Sequence, residues 1–219
     1  MIQPARIHIV DDDVSFRSAI GELLSGCGFK ISLYKSAKEF LETPPIDETA
    51  CILLDVQMPG LSGPQLQDHL TKLGWKLPIV FISGHGDIPT TVQTIKAGAE
   101  DFLTKPVPKA RLLTAVEGAL ARCTKIRDQD NRTAALRSSL AQLTPRENEV
   151  LTLLVRGKPH KQIAYELGAS ERTIKMHRRN ILEKFSVRSL AELAVMAERL
   201  GLLSAVDRGN KKELSRPVK

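Results

Sequence analysis

The feature that most constrains the fold is a regular alternation of short apolar runs and helical patterns over the first 120 residues. The apolar runs lie at about 6–10, 29–34, 51–54, 78–82 and 101–104. A segment with helical spacing of its apolar residues follows each run, so that the unit recurs roughly every 20 to 25 residues. Such alternation forms right-handed βαβ units and a parallel sheet with helices on both faces. The sequence predicts an α/β doubly wound, flavodoxin-like domain with five parallel strands in the order 2-1-3-4-5.

Polar side chains stand at the carboxyl ends of four of these runs. They are Asp11 and Asp12 after the first run, Asp55 after the third, Ser83 after the fourth and Lys105 after the fifth. In the predicted order, the first and third strands are neighbours at the switch point, where open α/β sheets bind their ligands. We therefore expect three carboxylates, one hydroxyl and one lysine in a single crevice.

The predicted cluster has the composition of a phosphoryl-transfer site. Adjacent carboxylates repel one another unless a cation binds between them, and oxygen ligands select a hard ion such as Mg²⁺. With Mg²⁺ bound, Asp55 can attack a phosphoryl group as a carboxylate nucleophile, while Lys105 neutralises charge on the phosphoryl oxygens. The Ser83 hydroxyl can donate a hydrogen bond to the same group. Two roles stay open for the neighbouring Asp13, which can cap the following helix or add to the negative field.

The net charge changes sign along the chain. Residues 1–120 contain 11 Lys/Arg and 14 Asp/Glu, a net charge of −3, whereas residues 121–219 contain 21 and 11, a net charge of +10. A basic region suggests a polyanionic partner such as nucleic acid, although charge alone does not exclude a solvated surface. We predict four segments: an acidic domain at 1–120, a linker helix at 121–142, a basic domain at 143–203 and a disordered basic tail at 204–219.

The basic domain carries the signals of an all-α, four-helix structure. Thr144 and Glu147 form a capping box, with a proline at the first helical position. The later helices are predicted at about 161–167, at 171–185 after a tight turn, and from a cap at Ser189 to Gly201. A short helix, a tight turn and a following basic helix make a helix-turn-helix unit, in which the later helix enters the major groove of DNA.

The third helix of this domain presents one polar face. Lys175, Met176 and Arg179 share that face by their i, i+1, i+4 spacing, opposite Ile174 and Ile181. These three side chains are therefore the ones on the face opposite the core. The predicted phosphate contacts flank them and are Lys161, Arg172, Thr173 and Arg178.

The first 120 residues resemble the receiver domain of two-component response regulators. Four separated motifs carry the resemblance, and they are Val10-Asp11-Asp12-Asp13, Leu54-Asp55 through Met58-Pro59-Gly60 to Gly63, Ser83-Gly84-His85-Gly86-Asp87, and Lys105-Pro106. The resemblance implies that Asp55 is the phosphoacceptor for a sensor histidine kinase. It implies an Mg²⁺ site formed by Asp11, Asp12, Asp55 and the Gln57 backbone carbonyl, a switch formed by Ser83 and Phe102, a phosphate contact from Lys105, and a cis Lys105-Pro106 bond.

The second domain resembles the LuxR-type four-helix output domain. The motifs are Leu143-Thr144-Pro145-Arg146-Glu147-Asn148-Glu149-Val150-Leu151, Lys161-Gln162-Ile163-Ala164 and Thr173-Ile174-Lys175-Met176-His177. The whole chain is thus similar to FixJ/NarL-type transcriptional regulators, which implies double-stranded DNA as a partner, RNA polymerase as a candidate partner, and a homodimer through the fourth helix. The resemblance also implies base contacts from Lys175, Met176 and Arg179. One departure is Pro159-His160, where the family often has a Ser/Thr-Asn pair before the second helix.

The remaining features exclude some classes of protein and leave two alternatives. Cys27, Cys51 and Cys123 are odd in number and widely spaced, so neither a disulfide framework nor a zinc site is expected. No apolar run is long enough to span a bilayer, so we expect a cytoplasmic protein. The resemblance to transcriptional regulators implies that the protein is not an enzyme. The alternatives are an Mg²⁺-dependent phosphohydrolase with an aspartyl nucleophile, and a constitutive DNA-binding regulator whose receiver ignores phosphorylation.

Overall fold

A computed structural model of the chain describes residues 5–42, 48–84 and 88–199. The chain divides after Asp128 into two compact units. Four predicted features lie outside the described residues: the end of the second helix at Pro44-Pro45, a loop position for His85, the end of the last helix at Gly201, and the tail from 204.

The first unit is built on a five-stranded parallel sheet. Its strands are β1 (Arg6–Val10), β2 (Lys30–Tyr34), β3 (Ala50–Asp55), β4 (Ile79–Ser83) and β5 (Asp101–Thr104), and its helices are α1 (Val14–Ser25), α2 (Ala37–Glu42), α3 (Gly63–Lys72), α4 (Ile88–Lys96) and the start of α5 (Lys109–Ala141). The strand order is β2-β1-β3-β4-β5, with every neighbouring pair parallel. The predicted fold class and strand order are confirmed.

The central strand β3 is buried along its whole length. Its alternate side chains enter two separate cores, with Cys51 and Leu53 on one face of the sheet and Ile52 and Leu54 on the other. Two buried faces require an unbroken apolar run, because successive side chains of a strand point to opposite sides. This run is what brings Asp55 to the carboxyl edge of the sheet.

Helix α5 includes most of the segment predicted as a linker helix at 121–142. It runs without interruption for 33 residues, beginning directly after the fifth strand's loop. No proline occurs within it, and Gly118 is exposed, so a glycine costs only about 1 kcal/mol of helix stability there. Within the second unit, Leu136 and Leu140 on the last turns of α5 pack against the core of that unit.

The second unit is all-α, as predicted. Its further helices are α6 (Pro145–Val155), α7 (His160–Glu166), α8 (Glu171–Lys184) and α9 (Leu190–Arg199). The capping box at the start of α6 is present, since the Thr144 side chain accepts from Glu147 N and Glu147 accepts from Thr144 N. Ser170 caps α8 in a similar way, accepting from Thr173 N at 3.1 Å.

The start of α7 shows how the chain accommodates its departure from the family pattern. Pro159 is the N-cap and provides no side-chain hydrogen bond, and the helix begins at His160, one residue earlier than predicted. The backbone carbonyl of Pro159 instead accepts from Gln162 N and Ile163 N. The side-chain cap is therefore absent at this helix start. Among the described ranges, no helix has both the length and the apolar character of a membrane span.

Candidate functional site

Two buried carboxylates meet at the carboxyl edge of the sheet. Val10 pairs with Leu54 in the β1–β3 register, so Asp11 and Asp55 follow side by side. Their residues are only 2% and 6% exposed, respectively, whereas the neighbouring Asp12 is exposed to solvent. The sheet register thus places these two carboxylates next to each other at one edge of the sheet, as the strand order predicted.

Lys105 joins the two carboxylates. Its Nζ lies 2.7 Å from Asp11 Oδ2 and 2.8 Å from Asp55 Oδ1. The backbone N–H of Lys105 donates to Ser83 O at 2.7 Å, which ties the end of β5 to the end of β4. The Lys105-Pro106 peptide bond is cis, as the family resemblance implied.

The remaining carboxylate oxygens accept backbone hydrogen bonds. Asp55 Oδ2 accepts from Gln57 N at 2.7 Å, and Asp11 Oδ1 accepts from Asp13 N at 2.8 Å. Asp13 itself is the N-cap of α1, and its side chain accepts from Ser15 N and Phe16 N. Of the two roles open to Asp13, the capping role is therefore the one that the hydrogen bonds support.

The charges of the cluster do not balance. Burial acts to lower the pKa of Lys105, but the hydrogen bonds to Asp11 and Asp55 reverse this and raise it, which keeps the ammonium charged. Burial raises the pKa of Asp55, while the Lys105 hydrogen bond and charge act to lower it. Lys105 is thus one ammonium beside two buried carboxylates. When all three side chains are ionised, they carry a net charge of −1 together.

The donors at this edge fit a magnesium ion by their chemistry. They are hard oxygens: the carboxylates of Asp11, Asp55 and the exposed Asp12, and the backbone carbonyl of Gln57. Mg²⁺ uses few protein carboxylates and retains several waters. Across the described residues, no three His, Cys, Asp or Glu side chains form a group arranged to hold a metal ion. The metal-ligand assignment therefore stays a prediction.

The two predicted switch residues lie on neighbouring strands. Ser83 is buried at the end of β4, and Phe102 on β5 is half-buried. Phe102 pairs with Phe81 across the β4–β5 ladder, and their rings stack with centroids 6.4 Å apart. Ser83 therefore lies close to the carboxylate cluster, while Phe102 lies two ladder positions further from the carboxyl edge.

Two further residues shape the site and were not predicted. Phe16, on the first turn of α1, places its ring centroid 4.1 Å from Lys105 Nζ. Gly63 lies so close to β3 that a Cβ atom there would be 2.3 Å from the Asp55 carbonyl oxygen. The motif from Met58 to Gly63 was the available signal for Gly63, whereas Phe16 had none.

The second unit displays the predicted polar face. Ile174 and Ile181 of α8 are buried in the core, and Lys175, Met176 and Arg179 are exposed on the other side of the helix. The four predicted phosphate contacts range from half-buried to exposed and are Lys161 on α7 and Arg172, Thr173 and Arg178 on α8. His177 is half-buried, and its Nδ1 is a buried atom with no hydrogen-bond partner.

An ion pair that the sequence did not reveal holds α8 in this unit. Lys184 Nζ lies 2.6 Å from Glu147 Oε2 and donates to the Gln142 carbonyl at 2.9 Å. Burial acts to raise the pKa of Glu147, but the hydrogen bonds from Lys184 and Thr144 outweigh it and lower the pKa to about 2. The end of α8 is thereby fixed to the start of α6.

Comparisons with known proteins agree with both halves of this structure. Residues 7–117 match the family model of the response regulator receiver domain, and residues 141–197 match that of the luxR family of bacterial regulatory proteins. The chain belongs to the response regulators that combine these two domains. It is a protein of the transcriptional class represented by FixJ.

Individual relatives match almost the whole chain. Nodulation protein W of Bradyrhizobium diazoefficiens is 42% identical over 198 residues, which is 90% of this chain and 87% of that protein. FixJ of Azorhizobium caulinodans is 37% identical over 201 residues, covering 92% of this chain and 95% of that protein. A solved structure of the response regulator StyR is 43% identical, with a TM-score of 0.80 over 90% of this chain and 99% of StyR.

Proposed function

We propose that phosphorylation of Asp55 by a sensor histidine kinase controls the binding of this regulator to DNA. The observation that carries the proposal is the position of Lys105, whose ammonium lies within hydrogen-bond distance of both Asp11 and Asp55 at the open edge of the sheet. A buried carboxylate beside a fixed cation is suited to accept an anionic group, because the cation offsets the charge that arrives.

The chemistry assigns one role to each side chain. An Asp55 carboxylate oxygen attacks phosphorus, the P–N bond of a phosphohistidine breaks, and the imidazole leaves with the bonding electron pair and takes up a proton. Lys105 then neutralises part of the charge on the transferred group. Asp11, Asp12, Asp55 and the Gln57 carbonyl would hold Mg²⁺, which supplies further positive charge to the phosphoryl oxygens when it is bound.

The response to phosphorylation is assigned to Ser83 and Phe102. The Ser83 hydroxyl donates a hydrogen bond to the phosphoryl group, and the Phe102 ring changes position along β5. The half-buried position of Phe102 supports this role, because a fully packed ring would have no room to move. In this proposal the acidic receiver comprises 1–120 and the output domain 143–203, joined by residues 121–142.

The output is assigned to α8, which enters the major groove of double-stranded DNA. Lys175, Met176 and Arg179 contact base edges there, and the four flanking residues contact phosphates. The proposal further includes a homodimer that forms on phosphorylation or DNA binding, contact with RNA polymerase, and a cytoplasmic location. The exposed polar face of α8 opposite its buried isoleucines supports the DNA-binding role.

The decisive experiment labels the full chain with acetyl phosphate and Mg²⁺. We expect an acyl phosphate that is absent from Asp55→Asn and unchanged in Asp68→Asn, which removes an exposed carboxylate of α3. Treatment with acetyl phosphate should also raise the affinity for operator DNA in the wild type and in Asp68→Asn, but not in Asp55→Asn. Undiminished labelling of Asp55→Asn would overturn the site, and operator affinity that ignores labelling would favour the constitutive regulator. Multiple turnover of a phosphate ester, lost in Asp55→Asn, would favour the phosphohydrolase.

A further inference from the structure

An aromatic ring lies against the ammonium group at the centre of the candidate site. The Phe16 ring centroid is 4.1 Å from Lys105 Nζ. The same nitrogen lies 2.7 Å from Asp11 Oδ2 and 2.8 Å from Asp55 Oδ1. The Lys105 ammonium therefore contacts two carboxylates and one aromatic ring. Asp11 and Asp55 belong to the motifs that define the site, whereas Phe16 does not.

The position of the ring is fixed by the first turn of α1. Asp13 Oδ1 accepts from Phe16 N at 3.1 Å and from Ser15 N at 2.9 Å, which anchors the backbone that carries the ring. The side chain of Phe16 also packs against the core on one face of the sheet. The cap at Asp13 thus anchors the backbone from which the Phe16 side chain extends.

Core packing and attraction to the cation are two explanations for the contact. The side chain of Lys105 is only 21% exposed, and an ammonium shielded from water is attracted to the negative face of an aromatic ring more strongly than an exposed one. An aliphatic residue at position 16 would fill the space but would not attract a cation. The two explanations therefore differ in what a leucine at this position should do.

We propose that Phe16 is a positioning residue for Lys105, whose ammonium it holds above Asp55 where an incoming phosphoryl group needs a positive charge. The ring limits the directions in which the flexible lysine side chain can point, so less ordering is required when the phosphoryl group arrives. This inference rests on the proposed function, because the position of Lys105 matters only if Asp55 is the phosphoacceptor.

The contact itself can be tested without any phosphorylation. Protons on the Cε atom of Lys105 should show an upfield ring-current shift in the NMR spectrum of the wild-type chain. We expect the shift to persist in Phe16→Tyr, which retains an aromatic face, and to disappear in Phe16→Leu. A Lys105 signal that is the same in all three proteins would overturn the inference.

The consequence of the contact is tested by the rate of labelling with acetyl phosphate. We expect Phe16→Leu to lower the rate constant roughly threefold to tenfold, and Phe16→Tyr to restore it to within about twofold of the wild type. Equal thermal unfolding of the two variants, followed by Trp75 fluorescence, shows that the rate does not report loss of fold. Equal labelling rates in wild type and Phe16→Leu would overturn the positioning role.

The two proposals fail in different ways. If Asp55→Asn were labelled like the wild type, the phosphoacceptor assignment would fall while the ring-current shift at Lys105 remained. If Phe16→Leu retained either the shift or the rate of the wild type, the positioning role would fall while Asp55 remained the phosphoacceptor.

Discussion

Lys184 Nζ lies 2.6 Å from the Glu147 carboxylate, and this pair joins the last turn of α8 to the first turn of α6. Glu147 is a buried residue, and it also completes the capping box with Thr144. The Glu147 carboxylate therefore accepts hydrogen bonds from both the Lys184 ammonium and the Thr144 backbone N–H. The orientation of the basic helix α8 within its unit therefore depends on a residue outside the helix-turn-helix segment.

We predict that Glu147→Gln destabilises the second unit by about 1–3 kcal/mol, because Lys184 is left with a half-buried charge and no carboxylate. The matched control is Glu149→Gln, which breaks the exposed pair with Arg146 and should cost less than about 1 kcal/mol. Hydrogen exchange of the α6 and α8 amides measures both changes. Equal protection in the two variants would contradict the prediction.

The same carboxylate makes the second unit sensitive to acid. Its pKa is lowered to about 2 in the folded chain, from 4.5 for an ordinary Glu. The stabilisation is therefore fully present above pH 4.5 and is lost as the pH falls from 4.5 towards 2. Protection of α6 amides should decline over this window in the wild type and should vary less in Glu147→Gln.

Gly63 is predicted to tolerate no side chain. A Cβ there would be 2.3 Å from the Asp55 carbonyl oxygen and 3.0 Å from Phe81 Cε1, so either α3 or the end of β3 must shift. Gly63→Ala should destabilise the first unit by roughly 1–3 kcal/mol. Gly118→Ala is the matched control, since its Cβ meets nothing within 4 Å and should stabilise α5 by about 0.5–1 kcal/mol. Trp75, the single tryptophan, reports the unfolding of this unit.

The sequence predicted the sheet and the meeting of Asp11 with Asp55 because both follow from local patterns and one topological rule. A buried strand is a continuous apolar run, and strand order then determines which strand ends are neighbours. The capping box at Thr144 was predictable for a similar reason, because its partner is three residues away. Burial and capping are thus encoded locally.

Contacts between distant residues without a shared pattern were not predictable. The Phe16 ring above Lys105 and the Lys184 ammonium beside Glu147 each join residues far apart in the chain, and each depends on how two elements pack. The sequence placed a linker helix at 121–142 but did not show that it continues the preceding helix without a break. A glycine in a helix interior costs only about 1 kcal/mol, so Gly118 does not interrupt α5.

A buried histidine should make the first unit lose stability at mildly acidic pH. His8 is 2% exposed, and its Nε2 has no hydrogen-bond partner. Burial, helped by the charge of Arg6, lowers its pKa from 6.5 to about 4. Between these values the unfolded chain binds a proton that the folded chain does not, so stability falls as the pH drops from 6.5 to 4. The loss should total about 2–3 kcal/mol.

His8→Leu should remove most of this pH dependence, as measured by urea unfolding followed at Trp75. The substitution also removes the contact of His8 Nδ1 with the Tyr34 hydroxyl, so the dependence of stability on pH is compared and not the absolute stability. His69→Leu removes an exposed histidine from α3 and should leave the pH profile unchanged. A profile unaltered by His8→Leu would show that another group is responsible.

The polar face of α8 should separate base recognition from phosphate binding. Arg179 is held only weakly by Glu183, whose Oε1 lies 3.8 Å from Arg179 Nη2, and both side chains are exposed. The Arg179 side chain is therefore available to a base edge. Arg179→Ala should weaken binding to operator DNA by about 1–3 kcal/mol more than binding to random DNA.

Lys161→Ala should weaken binding to operator and to random DNA equally, and should reduce the slope of log affinity against log salt by about 0.9. Arg137→Ala, an exposed cation on α5, should change neither. An equal loss on both DNAs in Arg179→Ala would make Arg179 a phosphate contact instead.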